Sequence, residues 1–179
     1  LPVDTSSWRG LGLLANTFAN ESFIDELAHL ADEDPLQFRL DHLSGEFGNL
    51  LRTALERVAD MAQWPGKTGD GVGMGIACCR DYGTVIAEIV QVKIVDNNIL
   101  VPKVWAVMDA GLVVNPDGAT NQVQGNIIWG LGSALKEAIH FENGKPSASN
   151  FGDYPLLRMD EAPDMEVTLL PSDRPPQGV

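Results

Sequence analysis

Cysteine is the scarcest reactive side chain in this sequence: there are two, Cys78 and Cys79, and they are neighbours. Adjacent residues on a strand point to opposite faces. The pair therefore makes neither a metal grip nor a disulfide staple, which argues against an iron–sulfur cluster or structural zinc held by this chain. Two small, inert, buried thiols are expected instead. The three histidines lie far apart, none beside a Gly-x-Ser-x-Gly nucleophile motif and none at a metal-ligand spacing such as His-Glu-x-x-His. His29 and His42 stand isolated on helical stretches and take no role. Positive charge is also thin: 12 Lys and Arg face 25 Asp and Glu, for a net charge of −13, so a nucleic-acid partner is not expected. No run reaches the roughly 18 consecutive apolar residues that span a bilayer. The chain opens Leu-Pro-Val-Asp without a methionine and stops at Gln177-Gly178-Val179. A piece of a longer polypeptide is the expectation, with any targeting signal left outside it.

What is present is an ordinary globular composition, 44% hydrophobic and 21% charged over 179 residues, enough for one domain with a real core or for two small lobes. Residues 1–16 carry Trp8-Arg9-Gly10-Leu11-Gly12, read as a glycine-bracketed turn. A helix is expected from about Asn16 to Asp32, with Phe23, Leu27 and Leu30 on one apolar face, Ile24 and Ala28 beside them, and Asp25 and Glu26 on a solvated face. Asp34-Pro35 is a cap followed by a first-turn proline and opens a second helix. A third runs from Phe47 to Trp64 on the pattern Leu50, Leu51, Ala54, Leu55, Val58, Met61, and Pro65 stops it. The run from Gly69 to Gly75 invites a phosphate-loop reading, but a strand-like stretch follows it where a helix is required, and we reject that reading. Thr84–Val95 and Ile99–Asp109 flank the turn Asp96-Asn97-Asn98 as a hairpin. A turn at Glu142-Asn143-Gly144 and a strand over Glu166–Leu170 complete an α+β pattern, with helices packed on a mixed or antiparallel sheet.

The helix after the hairpin stands out. Asn115-Pro116-Asp117-Gly118 is a start signal in which an aspartate caps free amides, and Val123, Ile127, Leu131, Ala134 and Leu135 form its apolar stripe. Gly118, Gly125 and Gly132 recur every seven residues, with Gln122 and Trp129 among them. Each helical glycine costs about 0.5–1 kcal/mol relative to alanine. Two explanations stay open: tight packing of the helix backbone on protein, or a ligand lying on the smooth strip and held by the Gln122 amide, which both donates and accepts.

Five stretches, in order, resemble the molybdenum-cofactor-binding large subunit of the xanthine dehydrogenase/aldehyde oxidase family, in the branch of isoquinoline 1-oxidoreductase β subunits. They are WRGLG at 8–12, FANESFIDELAHLADEDPLQFR at 18–39, GMGIACCRDYGTVIAEIVQV at 73–92, VMDAGLVVNPDGATNQVQGNIIWGLGSAL at 107–135 and NFGDYPLLRMDEAP at 150–163. The resemblance implies the C-terminal part of a molybdopterin-binding domain, with a helical lobe over about 16–64 and a hairpin–helix–strand lobe over about 72–172. In the parent protein it implies a molybdopterin, in its cytosine dinucleotide form, that oxidises an aldehyde or hydroxylates an N-heterocycle with oxygen from water, electrons leaving to a small [2Fe-2S] subunit. Gln122 of NQVQG, with Gly125, falls on the glutamine that hydrogen-bonds the cofactor. Arg9 matches the arginine of an RGFG-type loop beside the metal, and Leu11 stands where many relatives place an aromatic against substrate. Asn150–Met159 is expected to be architecture only. The family's basic glutamate follows a Gly-Val-Gly, so here it is expected just beyond Val179. No cofactor and no turnover are expected of these 179 residues apart from the rest of the large subunit. Related parents, an aryl-CoA reductase or a carbon monoxide oxidiser, and a non-catalytic module of the same fold are the alternatives.

Overall fold

Asp34 does locally what its position predicts. In the computed structural model, which describes residues 6–66 and 69–178, its carboxylate accepts from the amides of Leu36 and Gln37 at 2.9 and 3.1 Å and starts α2 (Pro35–His42). The same carboxylate accepts from the Trp64 indole at 3.0 Å, tying the start of α2 to the residues just after α3 (Gly45–Ala62). α1 (Leu11–Ala31) begins about five residues earlier than its sequence signals. Gly10, in the left-handed region at φ 82°, turns the chain, and the good helix formers Leu13, Leu14 and Ala15 override the glycine punctuation on either side of Leu11.

β1 (Val72–Asp81), β2 (Thr84–Val95) and β3 (Asn98–Asp109) pair antiparallel, with a register shift against β3 between Gln91 and Lys93 of β2, and β6 (Asp164–Leu169) joins β3 in parallel. A parallel neighbour requires a crossover, and α4 (Pro116–Leu135) supplies it. The glycine-rich run leads into β1 and not into a helix, as the rejection of a phosphate loop requires. A two-residue pair, β4 (Phe141–Glu142) with β5 (Lys145–Pro146), forms a small hairpin around Asn143-Gly144. The α+β class and the mixed sheet are both as expected.

Two cores lie on opposite faces of this sheet. On one, Leu55 and Val58 of α3 pack against Ile89, Trp105 and Val107. On the other, Ala119, Val123 and Ile127 of α4 pack against Val104, Ala106 and Met108. β3 therefore reads as a nearly unbroken buried run from Val104 to Ala110, the pattern of a strand covered on both sides. Leu55 is fully buried; Leu55→Ala is expected to cost about 2–5 kcal/mol in urea unfolding, and a loss under about 1 kcal/mol would show that the α3 layer is not part of the cooperative core.

Three expectations for side chains are corrected. Phe23, Leu27 and Leu30 of α1 stay exposed and only Ala28 is buried, because α1 touches the molecule along one narrow line, the free edge of β1 and the side of α2. Asp25 is not simply solvated: it pairs with the buried Arg39 at 2.7 Å. At the far end of α4, Ala134 and Leu135 face outward where the helix runs past the sheet.

Candidate functional site

The cap of α4 is Asn115 and not Asp117: its side chain accepts from the Gly118 amide at 3.0 Å and fills the space over that glycine. Gly132, at the other end, is buried, and a Cβ there would meet the Glu137 carboxylate. That carboxylate also accepts from the Tyr154 hydroxyl at 2.7 Å, which is how the Asn150–Met159 segment closes the C-terminal end of the helix. Gly125 alone of the three has nothing within 4 Å of where a side chain would start. The smooth strip is thus divided: a cap at Gly118, tight packing at Gly132, and open backbone at Gly125.

Gln122, Gly125 and Trp129 follow one another at helical spacing on a single flank. Gln122 is exposed and makes no side-chain hydrogen bond among the described residues, so its amide is free to donate and accept. It rims a cleft of about 270 Å³ whose walls are Ala110, Leu112, Val113 and Gly118 on one side and Pro176 and Gln177 on the other. Farther along the same flank, Trp129 takes the Trp8 ring edge-on at 6.0 Å between centroids. The Arg9 guanidinium lies 5.2 Å from the Trp129 ring centre, a cation–π contact. Trp129 lies seven positions beyond Gln122 along the helix, about 10 Å. The chain thus places Arg9, Gly125 and Gln122 along one helix flank. Leu11 opens α1 two residues on, 61% exposed and at φ 50°, a left-handed conformation that costs a bulky side chain about 1–2 kcal/mol.

The second wall of the cleft has no signal in the periodicities. Residues 174–178 lie across the β3–α4 loop: the Leu112 amide donates to the Arg174 carbonyl and the Gln177 amide to the Ala110 carbonyl, both at 2.9 Å. A Cβ on Gly111, which sits at φ 70°, would collide with the Pro175 carbonyl, so the close approach requires glycine. Prolines and a Gln-Gly pair read as bare loop from sequence, and the partner glycine lies more than sixty positions away. The acid expected after Val179 lies outside the described residues.

The remaining candidate chemistry is quiet. Cys78 and Cys79 are half-buried and face opposite sides of β1, as adjacent strand residues must. Burial, with the Glu21 charge next, pushes the Cys78 thiol up to about 12, and burial followed by Glu88 pushes Cys79 up to about 11. Neither forms a thiolate at neutral pH. Among the described residues no cluster of three or more His, Cys, Asp or Glu could hold a metal ion, and no helix is long and apolar enough to cross a membrane.

The molybdopterin cofactor-binding domain family matches residues 46–163. The chain belongs to that family. It is 35% identical, over 99% of its length, to the beta chain of isoquinoline 1-oxidoreductase from Brevundimonas diminuta. It is 36% identical, again over 99%, to a nicotinate dehydrogenase chain from Pseudomonas putida. The matched regions make up 23% and 16% of those two proteins, so the chain spans about a fifth of their length. The aldehyde oxidoreductase of Desulfovibrio desulfuricans shares the fold, with a TM-score of 0.68 over 96% of this chain and 36% of that one at 13% identity. The family resemblance carried by the five motifs is borne out.

The residues of the α4 flank fit one wall of a molybdopterin site. An unspent amide stands beside backbone left bare at Gly125, and the adjoining cleft is apolar enough to take the edge of a flat ring. Among the described residues no lysine or arginine lines the cleft, and Arg9 lies against Trp129 farther along the flank.

Proposed function

We propose that these residues form part of the large subunit of a molybdenum hydroxylase that oxidises an aldehyde or hydroxylates an electron-poor N-heterocycle. The single observation that carries this is the free Gln122 amide beside the open Gly125 backbone, at the rim of an apolar cleft, in a chain of the molybdopterin-binding family. Gln122 holds the pterin through its amide, with Gly125 giving the clearance. Arg9, steadied on Trp129, and Leu11 line the approach to the metal and the substrate. When bound, the molybdenum–pterin group, in its cytosine dinucleotide form, would supply the oxidation chemistry with oxygen from water, and a small [2Fe-2S] subunit would be the electron acceptor. This chain's contribution is binding and orientation. The rest of the large subunit provides the other walls and the basic glutamate, so the 179 residues by themselves are expected to hold no molybdenum.

The test is metal analysis. For the isolated chain, a stoichiometric molybdenum content would overturn the need for the other walls. In a large subunit carrying these residues, Gln122→Ala removes one hydrogen bond worth about 0.5–1.5 kcal/mol. Molybdenum retention is then expected to fall about two- to tenfold with folding unchanged by circular dichroism. Retention equal to the parent's would remove Gln122 from the site.

A further inference from the structure

The wall opposite Gln122 is built from residues with few means of holding themselves in place. Pro175 and Pro176 have no amide hydrogen, so two residues of the strap over residues 174–178 cannot donate a backbone hydrogen bond. Its backbone bonds to the β3–α4 loop are those at Leu112 and Gln177. The Arg174 side chain adds to these. Arg174 Nη2 donates to Asp109 Oδ1 at 2.9 Å, and Nη1 donates to the Gly83 carbonyl at 3.2 Å. Asp109 is buried at the end of β3, and the same oxygen accepts from the Gly111 amide at 2.9 Å. Arg174 thereby joins three elements: the β1–β2 turn at Gly83, the end of β3, and the strap. Its Nε is buried without a partner, so the fork spends its reach on Gly83 and Asp109 and leaves one donor unmet. Gly83 and Gly111, both at positive φ, leave the room: a Cβ on either would strike the strap at Gln177 or Pro175. The Thr84 hydroxyl closes the far end by donating to the Gly178 carbonyl.

We propose that Arg174 is a positioning residue: its grip on Asp109 and Gly83 fixes the strap, and with it Pro176 and Gln177 as the second wall of the Gln122 cleft. The consequence for cofactor binding rests on the function proposed above, whereas the latch itself does not.

Amide hydrogen exchange on the full chain, followed residue by residue by NMR, separates the two. Arg174→Gln removes the charge and the fork. Exchange at Leu112 and Gln177 is expected to quicken about tenfold or more. The Leu170 amide, which donates to the Met108 carbonyl at 2.8 Å within the sheet, is expected to stay as slow as in the parent, and Arg158→Gln, an exposed arginine elsewhere, to change neither site. Arg174→Lys keeps the charge but offers a point donor in place of a planar fork, and is expected to leave Leu112 and Gln177 fast. Unchanged exchange at those two amides in Arg174→Gln overturns the proposal, as does full rescue by lysine or an equal quickening at Leu170. Intact molybdenum retention in Gln122→Ala would sink the functional reading and leave the latch standing.

Discussion

Arg39→Met is expected to lower the unfolding free energy by about 3–5 kcal/mol, which for a chain of this size moves the melting temperature by about 10 °C. Arg39 sits on α2 with its side chain almost wholly buried, and its charged partners come from α1: Glu21 at 3.0 Å and Asp25 at 2.7 Å. Glu21 is itself nearly buried and also accepts from the Cys78 amide at 2.8 Å on the edge of β1. One carboxylate thus joins α1, α2 and the sheet. Methionine matches the arginine stem in volume yet leaves the Glu21 charge without its counter-ion in a poorly hydrated place, and that uncompensated charge dominates the loss. The sign of the coupling follows. In the double variant Arg39→Met with Glu21→Gln, the stranded charge is gone and the amide still accepts from Cys78, so part of the loss should return. Urea unfolding of the two single variants and the double variant measures it. A loss under about 1 kcal/mol in Arg39→Met, or no recovery in the double variant, would mean that the pair is solvated and that α1 is held by something else.

The same network marks where the sequence can be read and where it cannot. α2, α3, the β2–β3 hairpin and α4 follow from signals within a dozen residues: a cap, a proline, a repeat of 3.6 or 2. Arg39 is one arginine in a helical pattern until Glu21 and Asp25 meet it from another helix, so Asp25 reads as surface. α1 shows the reverse failure. Its apolar residues have helical spacing, but spacing does not say whether anything lies opposite, and Leu14, Phe18, Phe23 and Leu30 have nothing there among the described residues. For the candidate site, glycine spacing and family motifs lead to Gln122, Gly125 and Arg9, and the fold places them on one flank. The three-glycine strip itself does not survive. Helical periodicity aligns the residues, whereas what stands over each is decided by Asn115 and Glu137 at the two ends. The strap, Asp109 and Arg174 are invisible in the sequence because their partners are far apart along the chain and their conformation is irregular.

Glu88 supplies the second large effect, in the pH dependence of stability. It lies in the middle of β2, paired with Ala77 on β1 and Ala106 on β3, on the sheet face that α4 shares. Its neighbours along that face of the strand are Ile86 and Val90, and among the described residues it makes no side-chain hydrogen bond. Water reaches its edge, but the surrounding protein leaves the carboxylate poorly hydrated, and burial pushes its pKa from 4.5 up to about 7. Below about pH 4.5 the carboxyl is protonated in both folded and unfolded chains and costs nothing. Between 4.5 and 7 the unfolded chain has released the proton and the folded one keeps it, so each rise in pH favours unfolding. Above 7 both are ionised and the whole penalty is felt. The contribution is therefore present in acid and lost as pH rises through about 7, opposite to that of an ion-paired carboxylate, and its size is about 1–3 kcal/mol. Cys79, the thiol beside it, stays neutral through this window. Glu88→Gln cannot ionise, so unfolding free energies taken from pH 5 to pH 8 should fall for the parent relative to the variant, with most of the divergence between pH 5 and 7. Parallel curves would show that Glu88 is hydrated or partnered in solution, and a parent that gains on the variant as pH rises would show a cation beside it.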